Sequence, residues 1–159
     1  MICSALTALS IFAGACSDAT PQTLSETPPS FNVELAQSLI NKHRANHGLR
    51  PLAIDPRLMR AAKAHSTDQS QRGRVFHRGS DGSYPKDRAR RFGYNPKLAS
   101  ENVAAGYNNT GDVIKDWKTS NGHNANLLRR GAKHMGMALV YNPQVGKQTY
   151  WTLVIGVPR

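Results

Sequence analysis

Three side chains in this sequence have the chemistry of an active or metal-binding site: His77, Glu101 and His123. Neutral imidazole nitrogens bind borderline metals such as zinc, and an imidazole beside a carboxylate can serve as a general acid–base pair. We therefore take all three as candidate catalytic residues, and the two histidines also as candidate ligands of zinc or another divalent metal. The sequence contains no glycine-rich phosphate loop, G-x-S-x-G elbow or H-E-x-x-H motif that would compete with them.

Each candidate lies in a distinctive short segment. The segments are Phe76-His77 with Gly79-Ser80-Asp81-Gly82, then Ser100-Glu101-Asn102-Val103-Ala104, and, after Trp117, Ser120-Asn121-Gly122-His123-Asn124-Ala125-Asn126-Leu127-Leu128. In order and separation they resemble the CAP superfamily, which covers cysteine-rich secretory proteins, insect venom antigen 5 and plant pathogenesis-related proteins. The nearest resemblance is to its disulfide-free bacterial SCP-like branch, and it covers about residues 33 to 156.

The resemblance implies both a fold and a site. The fold would be α+β, a three-layer α-β-α sandwich with a small central antiparallel sheet. His77, Glu101 and His123 would meet in one cleft. There Glu101 could accept a hydrogen bond from a histidine N–H and so orient the ring, as carboxylates beside metal-bound histidines do.

One acidic residue of the family pattern is missing. The CAP cleft carries two histidines and two acidic residues, and the second acid usually lies three residues after the position of Trp117. This sequence has Ser120 there. Asp81 or Asp116 could take its place, but spacing does not decide between them. Two histidines and one carboxylate would otherwise be all that remains for a metal.

Two helices are predicted at the start of the domain. Apolar side chains recur at helical spacing in both, and Asp55-Pro56 supplies an N-cap and a first-turn proline for the second. The first stripe is Ala36, Leu39, Ile40 and His43; the second is Leu58, Ala61, Ala62 and His65. Because both histidines lie on apolar faces, we expect them to be hydrogen-bonded core or boundary residues rather than ligands.

The candidate residues fall on loops and elements further along the chain. His77 lies in a loop over 71–84, followed by a short basic helix that begins after Tyr84-Pro85 and ends near residue 93. Glu101 lies in an extended segment over 98–106, and a helix over 112–118 capped by Thr110 comes next. Ser120 should cap the helix of His123, whose position near a helix N-terminus favours the neutral ring. Strands over 135–141 and 150–157 finish the chain, the second apolar on nearly both faces and so buried on both.

The first residues predict an exported protein. Residues 1–16 form a short apolar segment with small residues leading into Cys16, which indicates a signal segment and resembles a bacterial lipobox. Ala13 stands where leucine is usual and no basic residue precedes, so simple cleavage stays open beside lipidation of Cys16. Residues 17–31 should be a flexible linker, and residues 32–159 the folded domain. The only cysteines in this sequence are Cys3 and Cys16, so the domain has no internal disulfide.

The charge of the chain indicates anionic partners. Lys and Arg number 21 against 10 Asp and Glu, a formal net charge of +11. Such a balance favours anionic lipid or cell-envelope polymers, although a merely solvated basic surface would give the same count. Nucleic acid is not expected, because of the export signal and because aromatic residues are not interleaved with the arginines. The sequence leaves the oligomeric state open.

Two functions remain. The favoured one is a binding module for a lipid, sterol or cell-envelope ligand, supported by the family resemblance. The alternative is a metal-dependent hydrolase of envelope peptide or glycan, in which metal-bound water would attack and Glu101 would be the base. Either protein would be exported, as a periplasmic protein, a membrane-anchored lipoprotein or an extracellular protein.

Overall fold

The computed structural model describes residues 29–159, so the predicted leader and most of the predicted linker lie outside the described residues. The helices are α1 Val33–Ala45, α2 Pro56–Arg72, α3 Pro85–Arg91, α4 Thr110–Thr119 and α5 Asn121–Leu127. The strands are β1 Ala53–Ile54, β2 Pro96–Ala105, β3 His134–Tyr141 and β4 Thr149–Pro158. No helix within residues 29–159 has the length and apolar composition needed to cross a bilayer.

The four strands form one sheet in the order β1-β3-β4-β2. The central strand β4 runs antiparallel to both β3 and β2, and the two-residue β1 pairs parallel with β3. The predicted α+β sandwich is confirmed, with a sheet that is mixed rather than antiparallel throughout. Strand β1 is too short to show an alternating pattern, so only its pairing with β3 reveals it.

Helices cover both faces of this sheet and make two cores. On one face α1, α4 and α5 pack against large side chains of β3 and β4, including Met135, Met137 and Trp151. On the other face α2 and α3 pack against smaller ones, including Ala138 and Val154. Successive side chains of a strand point to opposite faces. The alternation of large and small residues along β3 therefore places the large side chains in the first core and the small ones in the second.

The ends of the helices follow local sequence signals. Asp55 caps α2 by accepting from the backbone of Arg57, and α2 ends where Gly73 takes a positive φ of 65°. The cap of α4 is Asn109, not the predicted Thr110; the hydroxyl of Thr110 instead accepts from the backbone N–H of Asn32. Ser30, assigned to the linker, bridges to Asn109.

Helix α2 lies unusually close to the sheet at Gly136. A Cβ at this position would collide with the backbone of Leu58 and Met59. Two consecutive backbone atoms cannot yield as a flexible side chain can, so a substitution here must push the helix away from the sheet. The absence of a side chain at Gly136 therefore sets the distance between the two layers, and with it the position of everything that α2 carries.

Gly136→Ala is expected to destabilise the domain by about 1–3 kcal/mol, the usual cost of overpacking a core. The control is Gly122→Ala in α5, where nothing lies within 4 Å of the added Cβ. That change should be neutral or slightly stabilising, because alanine favours a helix over glycine. Urea unfolding of the two variants measures the difference. Equal free energies of unfolding would show that α2 does not depend on the close approach.

Candidate functional site

The carboxylate of Glu101 is buried under α2 and α3. Glu101 lies opposite Val154 in the β2–β4 pair, so its side chain points to the face covered by these helices. Its Oε2 accepts from Nη2 of Arg88 at 2.6 Å, and its Oε1 lies 3.0 Å from Nδ1 of His77. The side chain is 1% exposed. Both oxygens of this carboxylate are therefore engaged by cationic or ionisable partners.

Arg88 joins three parts of the chain. Its guanidinium is 3% exposed and donates to Glu101 on β2, to the carbonyl of Ser83 at 2.7 Å and to the carbonyl of His77 at 3.1 Å. The two carbonyls belong to the loop that precedes α3. One buried arginine on α3 thus fixes this loop against the sheet and sets the position of the His77 ring.

His65 completes the surroundings of Glu101. It is fully buried on α2, its Nε2 lies 2.6 Å from the carbonyl of Phe76, and the same nitrogen is 3.5 Å from Oε1 of Glu101. Burial lowers the pKa of His65 below its ordinary value, so the ring is neutral at neutral pH. The sequence predicted a structural histidine here, and its hydrogen bond fits that role. The sequence pattern does not predict its nearness to Glu101.

His123 lies on the other side of β2. It is half-buried at the start of α5, with its ring centroid 6.3 Å from that of Trp117. Burial lowers the pKa of His123 and keeps the ring neutral, a state that the sequence had predicted from the helix dipole instead. Within residues 29–159, Nδ1 of His123 and Nε1 of Trp117 are buried without a hydrogen-bond partner. Ser120 occupies the predicted cap position but makes no side-chain cap bond.

Two asparagines hold α5 against β2 next to Glu101. The side-chain nitrogen of Asn102 donates to the carbonyl of His123 at 3.1 Å. The side-chain nitrogen of Asn126 donates to the carbonyl of Glu101 and to the side chain of Asn102, both at 3.0 Å. These contacts bring His123 close enough for the charge of His77 to lower its pKa further. No hydrogen bond within the described residues joins His123 to His77 or Glu101.

The donor set does not fit a metal centre. Zinc sites use at least three protein ligands. The carboxylate of Glu101 is paired with Arg88, Asp81 is paired with Arg91 at 2.7 Å, and Asp116 lies near Tyr107, whose pKa is raised by burial and by this carboxylate. Among residues 29–159 no group of three or more His, Cys, Asp or Glu side chains is placed to hold a metal ion. The predicted ligands His77 and His123 offer two imidazoles, one fewer ligand than a zinc site needs.

Basic side chains lie on the outer side of this site. The His77 side chain is 55% exposed, and its hydrogen bond with Glu101 raises its pKa above the ordinary value. Beside it lies an open groove of about 680 Å³ whose walls include Arg72 and Arg78. The guanidinium of Arg72 sits 3.9 Å from the centre of the Phe76 ring, a cation–π contact that holds it in place. An acceptor-rich anion would find a favourable potential here.

Comparisons with known proteins agree with this architecture. The family model described as the cysteine-rich secretory protein family, CAP, matches residues 37–155. An uncharacterised Bacillus subtilis protein, YkwD, is 33% identical over 112 residues, which is 70% of this chain and 44% of that protein. The chain thus spans less than half the length of this curated relative.

Two solved structures show the same fold. An extracellular SCP-domain protein from Bacillus anthracis superposes with a TM-score of 0.70 at 26% identity, over 79% of this chain and 40% of that one. An outer surface protein from Borrelia burgdorferi gives a TM-score of 0.72 at 20% identity, over 80% of this chain and 92% of that one.

Arg88→Met is expected to lower the free energy of unfolding by about 3–5 kcal/mol, because it leaves the Glu101 carboxylate buried without its cation. The double variant Arg88→Met/Glu101→Gln should regain part of this loss, since the stranded charge is then gone. Chemical unfolding of the two single variants and the double variant gives the coupling. Additive losses would mean that the ion pair is not the interaction that holds the loop.

The pKa of His77 predicts a pH-dependent contribution to stability. A raised folded-state pKa means that the protonated ring stabilises the fold fully below the unfolded value of 6.5, and that this contribution is lost as pH rises through the folded value. His77→Gln should therefore cost more stability near pH 5.5 than near pH 8.5. Histidine proton NMR titrations of wild type provide the direct check. A His77 titration midpoint below 6.5 would contradict the geometry.

Proposed function

This chain belongs to the cysteine-rich secretory protein (CAP) family, and we propose that it is an exported binding module that takes an anionic ligand of the cell envelope at its His77 cleft. One observation carries the proposal. The acid at the centre of the cleft, Glu101, is already neutralised by the buried guanidinium of Arg88. Of the exposed charged groups on the groove wall, Arg72 and Arg78 are cationic, and the one acid, Asp81, is paired with Arg91.

The balance of charges in the cleft follows from the ion pairs. Arg88 cancels Glu101, and Arg91 cancels Asp81. His77 gains positive charge from its position against the carboxylate. On the wall of the neighbouring groove, Arg72 and Arg78 are then in excess over Asp81, which is paired with Arg91, so an anion entering the groove meets a net attraction.

Export is supported by the relatives. The Bacillus anthracis neighbour is described as an extracellular protein that contains an SCP domain, and the Borrelia neighbour as an outer surface protein. This agrees with the predicted signal segment of residues 1–16. Attachment through a lipid on Cys16 would place the domain at a membrane surface, where an anionic headgroup or envelope polymer is the natural partner of a basic cleft.

The hydrolase alternative has less support from the geometry. A metal-activated water needs a metal held by at least three ligands, and Glu101 could act as a base only if it were free of Arg88. Among the described residues, the neutral rings of His65 and His123 each carry an unpartnered Nδ1 that could accept a proton, and of the two only His123 is not fully buried. Within residues 29–159, no carboxylate forms a hydrogen bond with the His123 ring to orient it. Hydrolysis therefore stays a prediction from the sequence.

Association with phosphatidylglycerol vesicles tests the binding proposal. Binding should fall as salt rises, and it should also fall as pH rises and His77 loses its proton. Arg78→Gln should weaken association roughly fivefold, because one basic side chain near an anionic surface contributes about 1 kcal/mol. Purified anionic envelope polymer, used in place of vesicles, shows whether the cleft takes a headgroup or a polymer.

The matched control is Lys63→Gln, which removes the same charge from an exposed position on α2 outside the groove. Equal weakening by Arg78→Gln and Lys63→Gln would mean that net charge alone drives association. Binding that ignores salt would remove the electrostatic basis of the proposal.

A further inference from the structure

A second basic pocket lies away from the His77 cleft, where the connection from α1 to β1 meets the connection from α5 to β3. Its volume is about 690 Å³. Its lining residues are Arg44, Gly48, Leu49, Arg50, Pro51, Arg130, Gly131, Ala132 and Lys133. Basic side chains are frequent among them, and none of these lining residues is acidic. The pocket shares no lining residue with the groove beside His77.

Arg44 is the buried member of this set. It is 1% exposed, and all its hydrogen-bond partners among the described residues are backbone carbonyls. Nε donates to the carbonyl of Arg50 at 2.9 Å, and Nη1 donates to those of Leu127 at 2.7 Å and Arg129 at 3.2 Å. Nη2 has no hydrogen-bond partner within residues 29–159.

The carbonyl contacts explain why the side chain is ordered but not how its charge is balanced. Leu127 is the last residue of α5, so its carbonyl carries part of the negative end of that helix. Such an end amounts to about half an elementary charge at most. No ion pair joins Arg44 to a carboxylate within residues 29–159. Arginine stays protonated even when burial lowers its pKa, as it does here.

The surrounding side chains increase the excess of positive charge. Arg50, Arg130 and Lys133 also line the pocket and repel one another across it unless an anion lies between them. A planar guanidinium with a free terminal nitrogen matches the oxygens of a phosphate group, with which arginine forms its strongest hydrogen bonds. Leu49, Pro51 and Ala132 add apolar wall beside the basic groups.

We propose that this pocket binds a phosphate ester, with the phosphoryl oxygens on Arg44 and Arg130 and the organic part against Leu49 and Pro51. The size of the pocket exceeds what a bare phosphate ion fills, which favours an ester. The ester could be a small soluble molecule or the headgroup of a lipid. Gly48 and Gly131, with φ of 67° and 76°, shape the two loops that bring these groups together.

Calorimetric titration of the full 159-residue chain with glycerol 3-phosphate, at constant ionic strength, tests the site. We expect one saturable site per chain, weaker binding of inorganic phosphate, and at least a tenfold loss in Arg130→Gln, about 1.4 kcal/mol. Arg44→Gln should abolish binding, and Arg130→Gln keeps the test valid if the buried substitution prevents folding.

Vesicles containing phosphatidic acid distinguish a lipid headgroup from a small soluble ester as the ligand. Tighter binding to them than to glycerol 3-phosphate indicates a lipid headgroup, and no gain indicates a soluble ester.

The control is Arg60→Gln, which removes the same side chain from an exposed position on α2, on the opposite face of the sheet. Retained affinity in this variant supports the site. No saturable binding to wild type, or equal losses in Arg60→Gln and Arg130→Gln, would overturn it. Because the pocket and the groove beside His77 share no lining residue, Arg78→Gln affects only the groove. A failed binding module and a failed phosphate pocket therefore give different results.

Discussion

The candidate site depends on the buried ion pair between Arg88 and Glu101. Taking two charges out of water costs several kcal/mol per ion, so such a pair persists only where its contact is close and further hydrogen bonds support it. The 2.6 Å contact with Glu101 and the bonds to the carbonyls of Ser83 and His77 meet that condition. Since these partners come from β2 and from the loop before α3, the pair makes one rigid unit of a strand, a loop and a helix.

Strand β2 connects the two halves of the site because it is an edge strand. Glu101 points to the α2 face, and its neighbour Asn102 points to the α5 face. Among the described residues, no further strand pairs with the outer edge of β2, so a loop and a helix can pack against its two faces from that edge. The loop carrying His77 approaches from one face and α5 with His123 from the other. The two histidines therefore influence each other electrostatically, while the His77 ring is held by Glu101 and the backbone of His123 is held by Asn102.

The sequence predicted the parts of the fold that have long, regular patterns. The stripe of α1, the Asp55-Pro56 start of α2 and the doubly buried β4 are all present. It missed β1, whose two residues gain their structure from pairing with β3. Arg88 could not be told from its exposed neighbours Arg90 and Arg91, because burial of one arginine among several is decided by the partner it finds. The pairing of His77 with Glu101 was anticipated only through the family resemblance.

Arg44 and Arg88 are two buried arginines with different partners and different roles in this domain. Both are almost completely buried. Arg88 meets a carboxylate, so its charge is cancelled inside the protein and is used to hold the cleft. Arg44 meets only carbonyl groups within the described residues, so its charge remains available at the surface of a basic pocket. The cost of burying an unpaired cation is then offset by the helix end it caps and, when an anion binds, by that anion. Part of the excess of basic residues therefore lies inside the domain, at Arg44 and Arg88, and the rest lies on the solvated surface.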